Sequence, residues 1–261
     1  MARFCSLFSS SSGNSTYVGS ASCGILIDAG ASAKQLICAV QDEGIDINTL
    51  QAVFVTHEHS DHIKGLRVFC EKLNIPVYAT RETLDVLKSK NNISEKIENY
   101  EINERGALVG DMEIIPFSTP HDSVHSVGYK ITMGDGRIIT VCTDLGTVTP
   151  EILNALSGSD LVLLESNHDI QMLKSGPYPY ELKSRILSKI GHLPNTECAE
   201  TAVKLLNNGT TRFVLGHLSH QNNTPEKAFS ETKTAFDNCG ARENVDYKLY
   251  VAGDRNKMIR L

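Results

Sequence analysis

No stretch of the 261-residue sequence approaches the ~18 uninterrupted apolar residues that a membrane span requires. The first fifteen residues, MARFCSLFSSSSGNS, also lack the apolar run of a signal peptide. The expectation is a cytoplasmic protein with no membrane partner. Cys5, Cys23, Cys38, Cys70, Cys142, Cys198 and Cys239 form no CxxC pair, and seven is an odd number for a disulfide framework, so they read as reduced thiols packed as small side chains. Basic residues are not in excess either. With 25 Lys and Arg against 31 Asp and Glu, the net charge of −6 argues against nucleic-acid binding through a broad basic surface. A nuclease is not excluded, because divalent cations make a site locally positive whatever the whole chain sums to. Repeats and long charge blocks are missing, and the run from Ser9 to Ser12 reads as a tight polar hairpin loop before Gly13 and Asn14.

Apolar residues make up 41% of the chain, enough to bury a sizeable core, and the length fits one domain over 1–261. Hydrophobic periodicity predicts strands over 16–18, 24–28, 52–56, 77–79, 112–118, 127–133, 137–143, 161–164, 212–215 and 248–252. Helices are predicted over 32–43, 64–73, 80–90, 150–156, 179–190, 195–207 and 225–239, several opening on Ser, Thr, Asn or Pro. Strands come first in pairs and later alternate with helices, which implies sheets covered by helices on their outer faces.

Chemistry concentrates in Thr56-His57-Glu58-His59-Ser60-Asp61-His62, directly after the apolar run AVFV. Imidazole and carboxylate suit Zn, Mn or Fe, and His57 and His59 at a spacing of two converge on one ion. Asp61 and His62 point elsewhere and would serve a second ion, as in two-metal hydrolases. His121, Asp144 and His217 each follow a predicted strand, so rigid strand ends would deliver them to the same edge, with Asp144 as a bridging carboxylate. Spacing alone leaves His125 beside His121 and His220 beside His217 as competitors; the first of each pair lies closer to its strand. Glu165 ends a strand and His192 precedes a helix. If the two meet, the carboxylate orients the imidazole as a proton donor to a leaving group.

THEHSDH with the later His121, Asp144 and His217 resembles the metallo-β-lactamase superfamily, with its HxHxDH motif followed by His, Asp and His. The resemblance spans nearly the whole chain. It implies an α/β fold, the αββα sandwich, in which two mixed β-sheets pack face to face with helices outside and two metals at one edge. Within the superfamily, SLFSSSSGNS, NHDIQMLKSGPYPYELKSRI, GHLPN and HLSHQNN resemble the YycJ/WalJ-like group. That implies a metal-dependent 5′ to 3′ exonuclease acting on DNA, single strands favoured over duplex. HDSVHSVGY and HLS are similar to ribonuclease Z, which supports His121 over His125 and His217 over His220, and His192 with Glu165 as the proton-donating pair. The chain departs in Pro194, where the group more often has serine, and it has no stretch matching the ribonuclease Z exosite arm.

The expected metal ligands are therefore His57, His59, Asp61, His62, His121, Asp144 and His217, holding two divalent ions. Asp61, His192 and Glu165 carry the catalytic expectation: a metal-activated hydroxide attacks phosphorus, Asp61 holds its proton and His192 protonates the leaving 3′ oxygen. Ser11, Ser12 and Asn14 are expected to bind the terminal 5′ phosphate, with His168 at the pocket rim. Lys183 belongs to a basic and aromatic stretch with Lys174, Tyr178, Tyr180 and Arg185 that suits phosphates and bases. The rival reading is a small-molecule hydrolase of a cyclic phosphodiester, lactone or thioester on the same dinuclear site. A non-catalytic metal or redox sensor is a third.

Overall fold

The strand sequences are apolar on both faces rather than alternating, because both faces are covered. In the computed structural model, which describes residues 1–253 and 257–261, Leu26 of the stretch Gly24–Ile27 packs outward while Ile25 and Ile27 pack inward. The same two-sided burial recurs at Leu161–Glu165, where Val162 and Leu164 face one layer and Leu161 and Leu163 the other. Strands buried on both sides read as continuous apolar runs.

The first sheet is built from β1 (Arg3–Ser10), β2 (Gly13–Gly19), β3 (Gly24–Ile27), β4 (Leu50–Phe54), β5 (Val77–Ala79) and β6 (Asn99–Glu101). The second contains β7 (Ala107–Val109), β8 (Met112–Ser118), β9 (Val127–Thr132), β10 (Ile138–Cys142), β11 (Leu161–Glu165), β12 (Arg212–Gly216) and β13 (Lys248–Val251). The final strand, β14 (Ile259–Arg260), returns to pair antiparallel with β1. The spatial orders are β14-β1-β2-β3-β4-β5-β6 and β13-β12-β11-β10-β9-β8-β7. Each sheet is mixed: parallel from β3 to β6 and from β10 to β13, antiparallel elsewhere.

Helices α1 (Ala33–Asp42), α2 (Ser60–Ile63), α3 (Leu66–Leu73) and α4 (Arg81–Ser89) follow strands of the first sheet. Leu36, Val40, Leu66, Phe69, Leu84 and Leu87 bury the apolar stripes of α1, α3 and α4 on its outer face. The second sheet is covered through α5 (Pro150–Leu156), α8 (Asn195–Asn207) and α9 (Pro225–Asn238), with α6 (Ile170–Ser175) and α7 (Tyr180–Ile186) between. A third cluster, including Phe4, Phe54, Tyr129 and Val141, fills the space between the sheets. The αββα sandwich implied by the resemblance is the fold.

Several elements differ from the periodicity reading. β1 is a full strand because its serines lie in a covered sheet: Ser6, Ser9 and Ser10 are buried, and only Ser11 and Ser12 form the turn to β2. The predicted helix 64–73 begins at Leu66, after α2 has closed and Gly65 has intervened. A Cβ at Gly65 would stand 2.0 Å from the carbonyl oxygen of Ala31, so no other residue fits this crossing. The helix predicted over 179–190 stops at Ile186, and α6 was not expected. β6, β7 and β14, also not expected, are two- or three-residue strands.

None of the cysteines is disulfide-bonded, and only Cys38 and Cys239 are exposed. Burial pushes the Cys70 and Cys198 thiols up to about 12, far from the thiolate form that reacts. A thiol-specific reagent at neutral pH is therefore expected to titrate two thiols in the folded protein and all seven in denaturant.

Candidate metal centre

The donor cluster is assembled where strands of both sheets end. After β4 the chain continues through Val55 and Thr56 to His57, whose buried ring places Nε2 3.0 Å from His59 Nδ1. The next four residues form α2, so Asp61 and His62 leave a helical turn at about 100° to one another and diverge. This turn is locked in place by a close approach: a Cβ at Gly30 would lie 1.7 Å from the Asp61 carbonyl oxygen. Gly30 N donates in turn to the Asn14 carbonyl on β2.

The second sheet supplies the rest. His121 follows β8, and its Nδ1 donates to the Gly191 carbonyl at 3.1 Å, leaving Nε2 as the acceptor nitrogen, 3.3 Å from His59 Nδ1. Asp144 follows β10 and His217 follows β12, at φ values of 58° and 56°. Both therefore stand in the left-handed region, which costs a non-glycine residue on the order of 1 kcal/mol and turns its side chain out of the strand direction. The His217 backbone is pinned by N–H donation to Ser9 Oγ at 2.7 Å.

Four overlapping groups result, in each of which the donor atoms lie within 4.8 Å of one another: His57, His59 and His121; His57, His62 and Asp144; Asp61, His62 and His217; and Asp144, Glu165, His192 and His217. Asp144 connects the groups. Its Oδ2 is 3.3 Å from His62 Nε2, and its Oδ1 is 3.4 Å from His217 Nδ1 and 3.8 Å from His121 Nε2.

The donor chemistry fits divalent cations. Burial, with His62 and His121 nearby, holds His57 well below its ordinary pKa, and burial lowers His121, so both rings are neutral and able to ligate. Burial opposes the charge of Asp61, but the nearby rings of His217 and His62 hold its carboxyl well below the usual range. Asp144 Oδ2 and His217 Nε2 are buried and lack a hydrogen-bond partner among the described residues, as ligand atoms would. Burial disfavours the charge on His62, yet Asp144 and Asp28 raise it to about 9; a cation would replace that proton.

Asp28 is the residue that sequence reasoning missed. It follows β3 at φ 64° and is buried; it accepts from Thr56 N and Thr56 Oγ1 at 2.8 Å each and from His62 Nδ1 at 2.7 Å. A carboxylate on one imidazole nitrogen fixes the ring and raises the basicity of the other. Asp28→Asn is expected to weaken metal retention by about ten- to a hundredfold, read as the chelator concentration that strips the protein.

Glu165 meets His192 as the sequence suggested: Oε1 accepts from His192 Nδ1 at 2.8 Å and from His217 Nδ1 at 2.7 Å. Its Oε2 accepts from Leu145 N at 2.9 Å and Leu193 N at 3.3 Å. Burial works against the Glu165 charge, but His192 and His217 keep its carboxyl ionised and well below the usual range.

The other expected residues are spread more widely. Ser11 and Ser12 are exposed at the hairpin tip, whereas Asn14 is buried and donates through Nδ2 to Asp61 Oδ2 at 3.2 Å and the Ser10 carbonyl at 3.0 Å. His168 is not on a rim. It is fully buried, and burial lowers it to about 4. Its loop is drawn inward because Asn167 N donates to the Leu193 carbonyl and Asn195 N to that of His168. Lys183 is half-buried on α7, and its Nζ donates to the Lys174 carbonyl at 2.8 Å. His125 pairs with Glu82 and Ser118 outside the cluster, and His220 is exposed.

A family model described as the β-lactamase superfamily domain matches residues 24–218. The chain belongs to this superfamily. Exodeoxyribonuclease WalJ of Streptococcus pneumoniae is 34% identical over 252 residues, covering 95% of this chain and 93% of the relative. Exodeoxyribonuclease YycJ of Bacillus anthracis is 34% identical over 228 residues, covering 87% of this chain and 86% of the relative. Among solved structures, the metallo-β-lactamase fold protein YhfI from Bacillus subtilis superposes at a TM-score of 0.73, with 16% identity, 99% of this chain and 98% of the other covered. The short form of human tRNase Z gives 0.67, at 14% identity, with 99% and 98% covered. The donor side chains from His57 to His217 all lie within the matched residues.

Proposed function

We propose that the protein is a metal-dependent exodeoxyribonuclease that shortens DNA from the 5′ end, single strands preferred, and that it works as one cytoplasmic domain over 1–261. The observation that carries this reading is the pair of donor groups joined through Asp144, in a chain 34% identical over nearly its whole length to relatives named exodeoxyribonuclease.

His57, His59 and His121 would hold one ion, and Asp61, His62 and His217 a second, with Asp144 between them. Bound there, two Zn, Mn or Fe ions supply Lewis-acid activation of water and neutralise charge on phosphate oxygens. Asp61, oriented by Asn14 Nδ2 at 3.2 Å, is placed to hold the proton of the attacking water. Glu165 fixes His192 through Nδ1 and leaves Nε2 to donate a proton to the departing 3′ oxygen as the P–O3′ bond breaks. The exposed turn at Ser11 and Ser12 suits the terminal 5′ phosphate, and the cations Lys183 and Arg185 suit the phosphates that follow.

The test is digestion of end-labelled single-stranded and duplex DNA by protein loaded with Mn or Zn, with Asp61→Ala as the contamination control. Stepwise loss from the 5′ end by the parent alone supports the reading. No cleavage with any metal, in protein shown to hold two ions, transfers it to a small-molecule hydrolase.

A further inference from the structure

Away from the metal centre, a cleft of about 440 Å³ opens along the sandwich edge formed by β14, β1, β12 and β13. Its volume lies within the range of small-ligand sites. Arg212, Lys248, Lys257 and Arg260 line it, and among the described residues no carboxylate does. Arg212 opens β12 and His217 follows its end, which separates cleft and centre by about 16 Å of extended chain.

Among the described residues none of these four cations has a carboxylate partner, whereas most arginines outside the cleft have one. Arg67, Arg81, Arg137, Arg185 and Arg242 each have a carboxylate partner. Arg212 has a 3.4 Å hydrogen bond to Thr211 Oγ1 instead. The backbone register adds to the repulsion. Arg212 stands directly beside Lys248 across β12 and β13, and Arg260 beside Arg3 across β14 and β1. Like charges opposed in this way destabilise a sheet, and the chain's net charge of −6 shows no general surplus of cations that would place them there by default.

Beneath the cationic mouth the lining is mainly apolar, with Ser6 among the apolar side chains. Phe4, Val214 and Ile259 form its inner wall, and the half-buried Tyr250 ring lies in the lining beside them. A phosphate at the mouth would relieve the cation repulsion while a planar, weakly polar ring occupied the inner part. We propose that this cleft is a second binding site, for the phosphate and base of a nucleotide, separate from the metal centre. The choice of a nucleotide among phosphate compounds rests on the nuclease reading; the anion chemistry of the cleft does not.

The test compares the parent with Arg212→Gln/Lys248→Gln, using deoxyadenosine monophosphate, inorganic phosphate and a thymidine pentanucleotide as probes in titration calorimetry. Binding of the monophosphate, the pentanucleotide or both is expected to weaken by about tenfold or more in the variant, and whichever probe responds identifies a free nucleotide or a DNA strand as the source. The ligand-free variant is expected to melt at a higher temperature than the parent, since a repulsive pair has gone. Hydrolysis of bis(p-nitrophenyl) phosphate, which needs only the centre, is expected to be unchanged. Equal nucleotide binding by parent and variant, or a lower melting temperature in the variant, overturns the site. Inorganic phosphate binding as tightly as the nucleotide overturns the assignment of the inner wall to a base. If the parent fails to hydrolyse any diester yet loses nucleotide binding on substitution, the nuclease reading fails and the cleft stands.

Discussion

Asp144→Asn is expected to lower DNA hydrolysis by about a thousandfold and to reduce the bound metal per chain. Asp144 is the carboxylate whose two oxygens face different partners, His62 at 3.3 Å on one side and His217 at 3.4 Å on the other. Removing its charge leaves His62 and His217 facing each other's cations or protons without a shared counter-ion. Asn is the informative replacement because it tolerates the φ of 58° that Asp144 occupies, whereas Ala would add backbone strain. Elemental analysis and single-turnover rates check the two halves of this expectation. A variant with the parent's metal content and full turnover would remove Asp144 from the centre.

His192→Gln tests proton donation separately from metal binding. Turnover of DNA is expected to fall by about a hundred- to ten-thousandfold, the usual range for general acid catalysis. Hydrolysis of an aryl diester should change little, because p-nitrophenolate departs without a proton. Glu165→Gln is the less specific probe, since Glu165 also holds His217 and two backbone amides. Equal losses on both substrates for His192→Gln would place that ring in metal binding or folding instead.

Much of this centre was legible because its chemistry is local. Three imidazoles and a carboxylate between His57 and His62 leave few other readings, and strand ends announced His121, Asp144 and His217. Asp28 was not legible: one aspartate after Ile-Leu-Ile resembles any strand end until β3 pairs with β4 and brings Thr56 alongside. His168 misled for the opposite reason. A polar residue in a loop defaults to the surface, and only the amides of Asn167 and Asn195, tied across the loop, bury it. β1 was hidden by its serines, which look like turn residues yet line a strand covered on both faces. The short edge strands β6, β7 and β14 carry too few residues for any periodicity to register.

The candidate ligands are divided between the two halves of the chain, with His57 to His62 attached to the first sheet and His121, Asp144 and His217 to the second. The ions would therefore act as a removable rivet through the sandwich. At a hundredfold excess over its dissociation constant, one bound ion adds about 2.7 kcal/mol to whatever holds the halves together. A chain opened between β6 and β7, at an edge of each sheet, should then reassemble from its two fragments when cations are supplied and separate when they are chelated.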